Sequence, residues 1–201
     1  MIKCFFITAS ESKTMNVSAI AHESIDITQE MTSLINSRGE LSFDLMLKCV
    51  LLENGNLIYT DDLSKCDTLW FDYQITNLSC PLFSERMKIF FDDKFTGNEN
   101  IHWIKTNVYH SHEKRNYYIP RFKKALDVLD TDKTTYISGT GHIIVPCFSS
   151  RKVINYALFH LPYDVRFLWE IPSGVYVHEG IKKMIVHEKF TGVNFEKIKV
   201  S

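Results

Sequence analysis

The tetrapeptide Lys-Phe-Thr-Gly occurs twice, at 94–97 and 189–192, and each copy follows the same stripe of bulky apolar residues. Phe83, Met87, Phe90 and Phe91 fall at i, i+4, i+7 and i+8, one face of an α-helix, and Ser84 suits the start of that helix as a cap. Val177, Ile181, Met184 and Ile185 repeat the stripe, each displaced by 94 residues, with Glu85 answered by Glu179 and Lys88 by Lys182. The displacement becomes 95 at the tetrapeptide, so the second helix end carries one extra residue. Beyond each glycine the period changes from helical to alternating, with Ile101 and Trp103 answered by Val193 and Phe195. Leu69-Trp70 and Leu168-Trp169 stand upstream as short apolar strands. The pattern predicts two related strand–helix–turn–strand units, at about 69–108 and 166–200. In each, glycine past the helix takes a left-handed backbone and the phenylalanine covers the helix end.

The rest of the chain supplies material for a sheet. The stretch IKCFFIT predicts a buried strand, followed by a loop over Ala9 to Ser18. A helix is expected late in residues 19–38, with Gly39 as its stop. Alternation from Leu41 to Leu47 predicts a half-buried strand, and Glu53-Asn54-Gly55-Asn56 a hairpin turn into Leu57 to Thr60. Short strands are expected at Leu69–Tyr73, Tyr117–Pro120 and His142–Phe148, the last after a turn at Gly139-Thr140-Gly141. Phe122 to Leu129 reads as a short amphipathic or extended segment, and Asn155 to His160 fits strand or helix equally. The expected fold is α+β, with duplicated strand–helix–strand units on antiparallel or mixed sheet, in a single domain or two small lobes. The expected division is an N-terminal strand and hairpin region at 1–66 and a domain at 67–201 that holds both units.

With 201 residues, 45% of them hydrophobic, the chain is long enough to build a core without disulfides or metal. Five scattered cysteines with no CxxC pair fit reduced thiols in a cytoplasm. The apolar run Cys4 to Thr8 is too short for a signal peptide, and nothing approaches a membrane span, so a soluble cytoplasmic protein is expected. A net charge of −1 argues against non-specific nucleic-acid binding. That average conceals a split: residues 1–100 carry 15 acidic against 8 basic side chains, and residues 101–201 carry 9 against 15. If the fold separates the halves, one face is acidic and the other basic; if it interleaves them, the field cancels.

No constellation of reactive residues stands out. His110 and His112 share a face if Ser111 lies in a strand, as a metal pair requires, but no third ligand is near. Gly139-Thr140-Gly141-His142 lacks the lysine and third glycine of a nucleotide loop. Cys147 five residues after His142 carries almost no information about a catalytic pair. Asp61-Asp62 and Asp92-Asp93, with Asp127, Asp130 and Asp132, suit a solvated face or a patch for a cationic partner better than a Mg²⁺ site. Lys123-Lys124 and Lys182-Lys183 read as helix surface, and Tyr117, Tyr118 and Phe122 beside the first run give only weak support to an RNA-binding module.

From about Leu69 to Val200 the chain resembles immunity family eleven of bacterial polymorphic toxin systems, whose members neutralise a toxin in the cell that makes it. The resemblance lies in Pro81-Leu82-Phe83-Ser84-Glu85-Arg86, in Tyr117-Tyr118 followed by Leu126-Asp127, in Phe167-Leu168-Trp169 and in the closing Phe190-Thr191-Gly192-Val193-Asn194-Phe195. The second helix departs from it by opening with His178-Glu179-Gly180. The resemblance implies an inhibitory binding protein with no catalytic residues and no cofactor. Its implied partner is a cognate toxin encoded by a neighbouring gene, often a nuclease in such systems. Because a nuclease offers a basic groove to its substrate, Asp61, Asp62, Asp92 and Asp93 are the candidate toxin-binding residues. The alternatives are a small metal- or acid/base-dependent enzyme and an RNA-binding or scaffold module.

Overall fold

The computed structural model describes residues 2–10, 15–37, 40–53, 55–162 and 169–201. In chain order its elements are β1 (Cys4–Ala9), β2 (Met15–Ala21), α1 (Ile27–Ser37), β3 (Leu45–Glu53), β4 (Asn56–Thr60), β5 (Ile75–Thr76) and β6 (Phe83–Ser84). They continue with α2 (Glu85–Lys94), β7 (Ile101–His110), β8 (Glu113–Phe122), β9 (Thr135–Tyr136), β10 (Ile143–Val145), α3 (Ser150–Val153), β11 (Tyr176–His178), α4 (Glu179–His187) and β12 (Val193–Ile198). The fold is α+β. A seven-stranded mixed sheet runs β5-β2-β3-β7-β8-β6 with β4 paired to β3, a three-stranded antiparallel sheet runs β11-β1-β12, and β9 and β10 form a separate hairpin.

The two units share one topology. In the first, β6 and β7 both pair antiparallel with β8, which lies between them. In the second, β11 and β12 both pair antiparallel with β1. Phe83 and Lys105 meet across Tyr118, as Val177 and Lys197 meet across Phe5. Trp103 faces Pro120 where Phe195 faces Ile7. The register therefore reproduces the displacement of 94 before the helices, and a displacement of 92 after a loop three residues longer in the first unit. What the repeat does not announce is the origin of the middle strand. In the first unit it follows directly from β7 through a hairpin; in the second it comes from the N-terminus.

Side chains follow the same correspondence. Lys88 lies over the rings of Tyr118 and Trp103, and Lys182 over those of Phe5 and Phe195, with ammonium-to-centroid distances of 5.5 and 6.0 Å in the first unit and 3.8 and 5.1 Å in the second. Met87 and Phe91 are buried under α2 as Ile181 and Ile185 are under α4. Met184 leaves the pattern: expected in the core, it is 45% exposed.

Several boundaries differ from expectation. The strand read over Leu41 to Leu47 begins only at Leu45: Ala21, the last residue of β2, lies opposite Leu45, so β2 offers 41–44 no partner, and on the β7 side Asp44 is held by the Asn107 side chain. Part of the expected loop from Ala9 to Ser18 is strand: β2 starts at Met15 and pairs with β3, burying Val17 to Ala21. No strand forms over Leu69–Tyr73. Backbone N–H groups there go elsewhere, Phe71 to the Gln74 side chain, Asp72 to the Thr191 hydroxyl and Tyr73 to the Thr191 carbonyl. The strand of each unit is instead the short one directly before its helix. Lys123-Lys124 follows β8 and is not on a helix. Gly39, Asn54, Phe167 and Leu168 lie outside the described residues.

Two apolar cores meet at the β7–β8 hairpin. Alternate residues of a strand face opposite sides, so Ile101, Trp103 and Phe122 join the core beneath α2 and α4, while Ile104, Val108, Tyr117 and Ile119 join a second core that includes Leu34 of α1. Residues 1–66 are shared between the sheets, β1 lying with the C-terminal strands and β2 to β4 with β7 and β8. The acidic and basic halves of the sequence therefore interleave.

Helix α4 is capped where its counterpart has serine: Ser84 accepts from Met87 N–H, and His178 Nδ1 accepts from Gly180 N–H at 3.1 Å. That bond requires an unprotonated Nδ1, and burial holds the His178 pKa below the ordinary imidazole value, as it does for His160. A depressed folded pKa means that the stability is whole above the unfolded value of about 6.5 and is lost as pH falls through the folded value. The urea midpoint will thus drop on acidification below about pH 6.5, and His178→Ser, which installs the cap of the first unit, will make that drop shallower without abolishing it. Equal slopes for the two proteins would refute this role of His178.

Candidate binding face

Helix α2 is tied to the segment that follows α4, residues 188–191. The rings of Phe90 and Phe190 meet edge to face with centroids 5.2 Å apart, and the Arg86 guanidinium lies 4.2 Å over the Phe190 ring. Arg86 also donates to the Glu188 carbonyl and, at 3.1 Å, to Asp72. Asp72 is the joint. One carboxylate oxygen accepts the hydroxyl of Ser84, the cap of α2, and the other accepts Arg86 together with the N–H and hydroxyl of Thr191, at 2.9 and 3.0 Å.

This gives the repeated tetrapeptide a second role besides turning the chain. Gly97 and Gly192 have φ of +85° and +73°, the left-handed turn expected of them. In both copies the threonine also holds a carboxylate. Thr96 N–H donates to Glu99 at 3.0 Å with its hydroxyl 3.1 Å from the same oxygen, matching Thr191 and Asp72. Glu99 is 1% exposed and its other oxygen accepts Ala157 N–H. The acid is three residues downstream in one copy and 119 upstream in the other, so the sequence offered no signal for the second pairing.

Between α2 and α4 lies an open groove of about 980 Å³. Its floor is Phe90 and Phe190, its apolar walls are Ile89 and Met184, which are 59% and 45% exposed, and its rim carries Arg86, Asp93, Lys94, Lys183, His187 and Glu188. Ile89 gives no signal in the sequence beyond being an apolar residue off the buried stripe of α2. Met184 counts as buried by its spacing because helical spacing cannot distinguish a residue at the edge of a buried stripe from one at its centre.

Of the four candidate aspartates, only Asp93 borders this groove. Asp61 lies 3.5 Å from Lys48 on β3 and Asp62 accepts Ser64 N–H, both just after β4. Asp92 takes Lys88 and Trp103 Nε1, and Asp93 takes Lys94 at 2.6 Å. Hydrogen bonds from Ser64 hold the Asp62 carboxyl below the usual carboxylate range, and Lys94 does the same for Asp93. The two pairs do not form one acidic patch, because β3, β7 and β8 separate β4 from α2.

Ser111, at φ +53°, and His112 form the turn between β7 and β8, so His110 and His112 do not lie at successive same-face positions of a strand. Gly139 to Gly141 is the turn of the β9–β10 hairpin. Cys147 is buried with its backbone tied to Thr134. Among the described residues no group of three or more His, Cys, Asp or Glu side chains is placed to hold a metal ion, and no helix is long and apolar enough to cross a membrane. Compared with protein-family models and with curated proteins, the chain matches none.

Proposed function

We propose that the chain is a cytoplasmic immunity protein that neutralises a cognate toxin by seating a segment of it in the α2–α4 groove and so covering its active site or substrate path. The observation that carries this reading is the groove itself: two exposed apolar side chains, Ile89 and Met184, over an aromatic floor and inside a mixed charged rim. Protein interfaces place their affinity in a few desolvated apolar or aromatic contacts and their specificity in a polar rim. The lock through Asp72 and Arg86 sets the helices before the partner arrives, which reduces the ordering cost of association. The resemblance of its motif order to immunity family eleven supports the partner class proposed, a secreted bacterial toxin encoded beside this chain. Asp93 is the one candidate aspartate at the rim; Asp61, Asp62 and Asp92 contribute through long-range steering only.

Co-expression with the toxin encoded by the neighbouring gene tests the reading. The unaltered chain is expected to form a complex and restore growth. Ile89→Asp with Met184→Asp is expected to weaken binding by roughly 700-fold, since two contacts at about 2 kcal/mol each are removed. Both side chains are exposed, so the thermal midpoint should hold. No complex and no protection from the unaltered chain would end the proposal. Unchanged binding by the double variant would place the interface on another face.

A further inference from the structure

On the face of the β7–β8 hairpin away from α2, Arg121 is 3% exposed, yet it is only partly paired. Its Nε donates to Glu170 at 2.8 Å and its Nη2 to the Ile35 carbonyl at 2.7 Å, tying α1 to the hairpin, while Nη1 is buried without a hydrogen-bond partner. A guanidinium carries five N–H donors in a planar fork, and a buried donor left unpaired costs the desolvation it has already undergone. Structural tethering accounts for Nε and Nη2 and leaves Nη1 unexplained.

The surroundings point to what completes it. Arg121 lines an open cavity of about 700 Å³ together with His102, Lys123, Trp169 and Glu170. His102 lies directly across the ladder from Arg121, and Lys123 is two residues further along the chain, so both flank the guanidinium. Two permanent cations stand against one carboxylate, Glu170, whose Oε1 already faces both Nε and Nη2. The cavity keeps a positive excess, and the guanidinium beside it has a spare, buried donor pair.

We propose that this cavity is a binding site for a small molecule that carries an oxyanion, a phosphate or a carboxylate, held by Lys123 and by the Arg121 guanidinium, whose buried Nη1 turns toward the ligand on binding, with His102 as a further donor. Charge-assisted bonds from a guanidinium fork are the strong, geometry-selective contacts for such groups, and the cavity has the size of a small-ligand pocket. The site is separate from the α2–α4 groove, so it stands or falls independently of the toxin-binding reading.

Titration of the full chain with inorganic phosphate, and separately with citrate, at matched ionic strength tests it by ¹H–¹⁵N NMR. The amides of His102, Arg121 and Lys123 and the Arg121 Nε–H are expected to move together and to saturate. A response to phosphate alone identifies a phosphoryl ligand, to citrate alone a carboxylate, and to both a general oxyanion site. Lys123→Gln keeps the buried tether intact and is expected to weaken binding about tenfold. Arg121→Lys is expected to abolish saturation, with unmoved α1 amides reporting that the fold persists; should that variant not fold, Lys123→Gln decides. Absence of saturable shifts in both arms, or full affinity in Lys123→Gln, would leave Nη1 to a bound water and overturn the proposal.

Discussion

Asp72→Ala is expected to lower the unfolding free energy by about 3–4 kcal/mol, read as a fall in the urea midpoint at unchanged slope. The size comes mainly from neutral donors. Arg86 is half exposed, so its pairing with Asp72 is screened and contributes little by itself. The Asp72 side chain is 10% exposed, and it answers the Ser84 hydroxyl and both donors of Thr191. Bonds to an ionised acceptor contribute about 1.5–3 kcal/mol each, and water entering the vacated space recovers part of the sum. Asp72→Asn, which preserves shape and one carbonyl oxygen, should lose about half as much. A loss under about 1 kcal/mol in the alanine variant would mean that the helix pair is held by Phe90, Phe190 and Arg86 stacking alone. Because this carboxylate fixes both walls of the groove, the variant should also bind the partner more weakly than its remaining stability explains.

The doubled unit was legible because periodicity reports which face of an element is buried. The stripes of α2 and α4 and the alternation of β7 and β12 needed no knowledge of neighbours, and the displacements of 94 and 92 reappear as sheet register. Everything that depends on a neighbour was hidden. Nothing in IKCFFIT says that it will lie between β11 and β12, since a buried strand looks the same wherever it is inserted. Residues 15–18 read as loop because Asn16 and Ser18 break the apolar run, yet pairing with β3 outweighs their low strand propensity. Asp72 read as one acid among many in an acidic half, and only the fold brings Thr191 to it. The aspartate pairs were conspicuous in the sequence for their charge, but each carboxylate has found a local partner. Of the groove walls, Ile89 was inconspicuous because an exposed apolar residue off the buried stripe carries no mark in a periodic pattern, and Met184 was hidden by sitting at the edge of the stripe itself.

The two glycines of the repeat separate local from long-range demands, and replacing each by alanine should give unequal results. Both have left-handed φ, so both variants incur the same conformational penalty of about 1 kcal/mol. At Gly97 a Cβ meets nothing within 4 Å, and the penalty is the whole effect. At Gly192 a Cβ would lie 2.5 Å from the Tyr73 carbonyl oxygen and 2.6 Å from Phe71 Cβ, positions that a side-chain rotation cannot clear. The backbone there is also committed, Tyr73 N–H to the Thr191 carbonyl and Ser10 N–H to the Gly192 carbonyl. Relief of the clash must therefore pull the second tetrapeptide away from 71–74, adding about 2–3 kcal/mol of overpacking and weakened pairing. Gly192→Ala should cost about 3–4 kcal/mol in urea unfolding, against about 1 kcal/mol for Gly97→Ala. Equal losses would show that the glycine was kept in both copies for its turn alone, and that the approach of the 71–74 segment to Gly192 is loose enough to admit a methyl group.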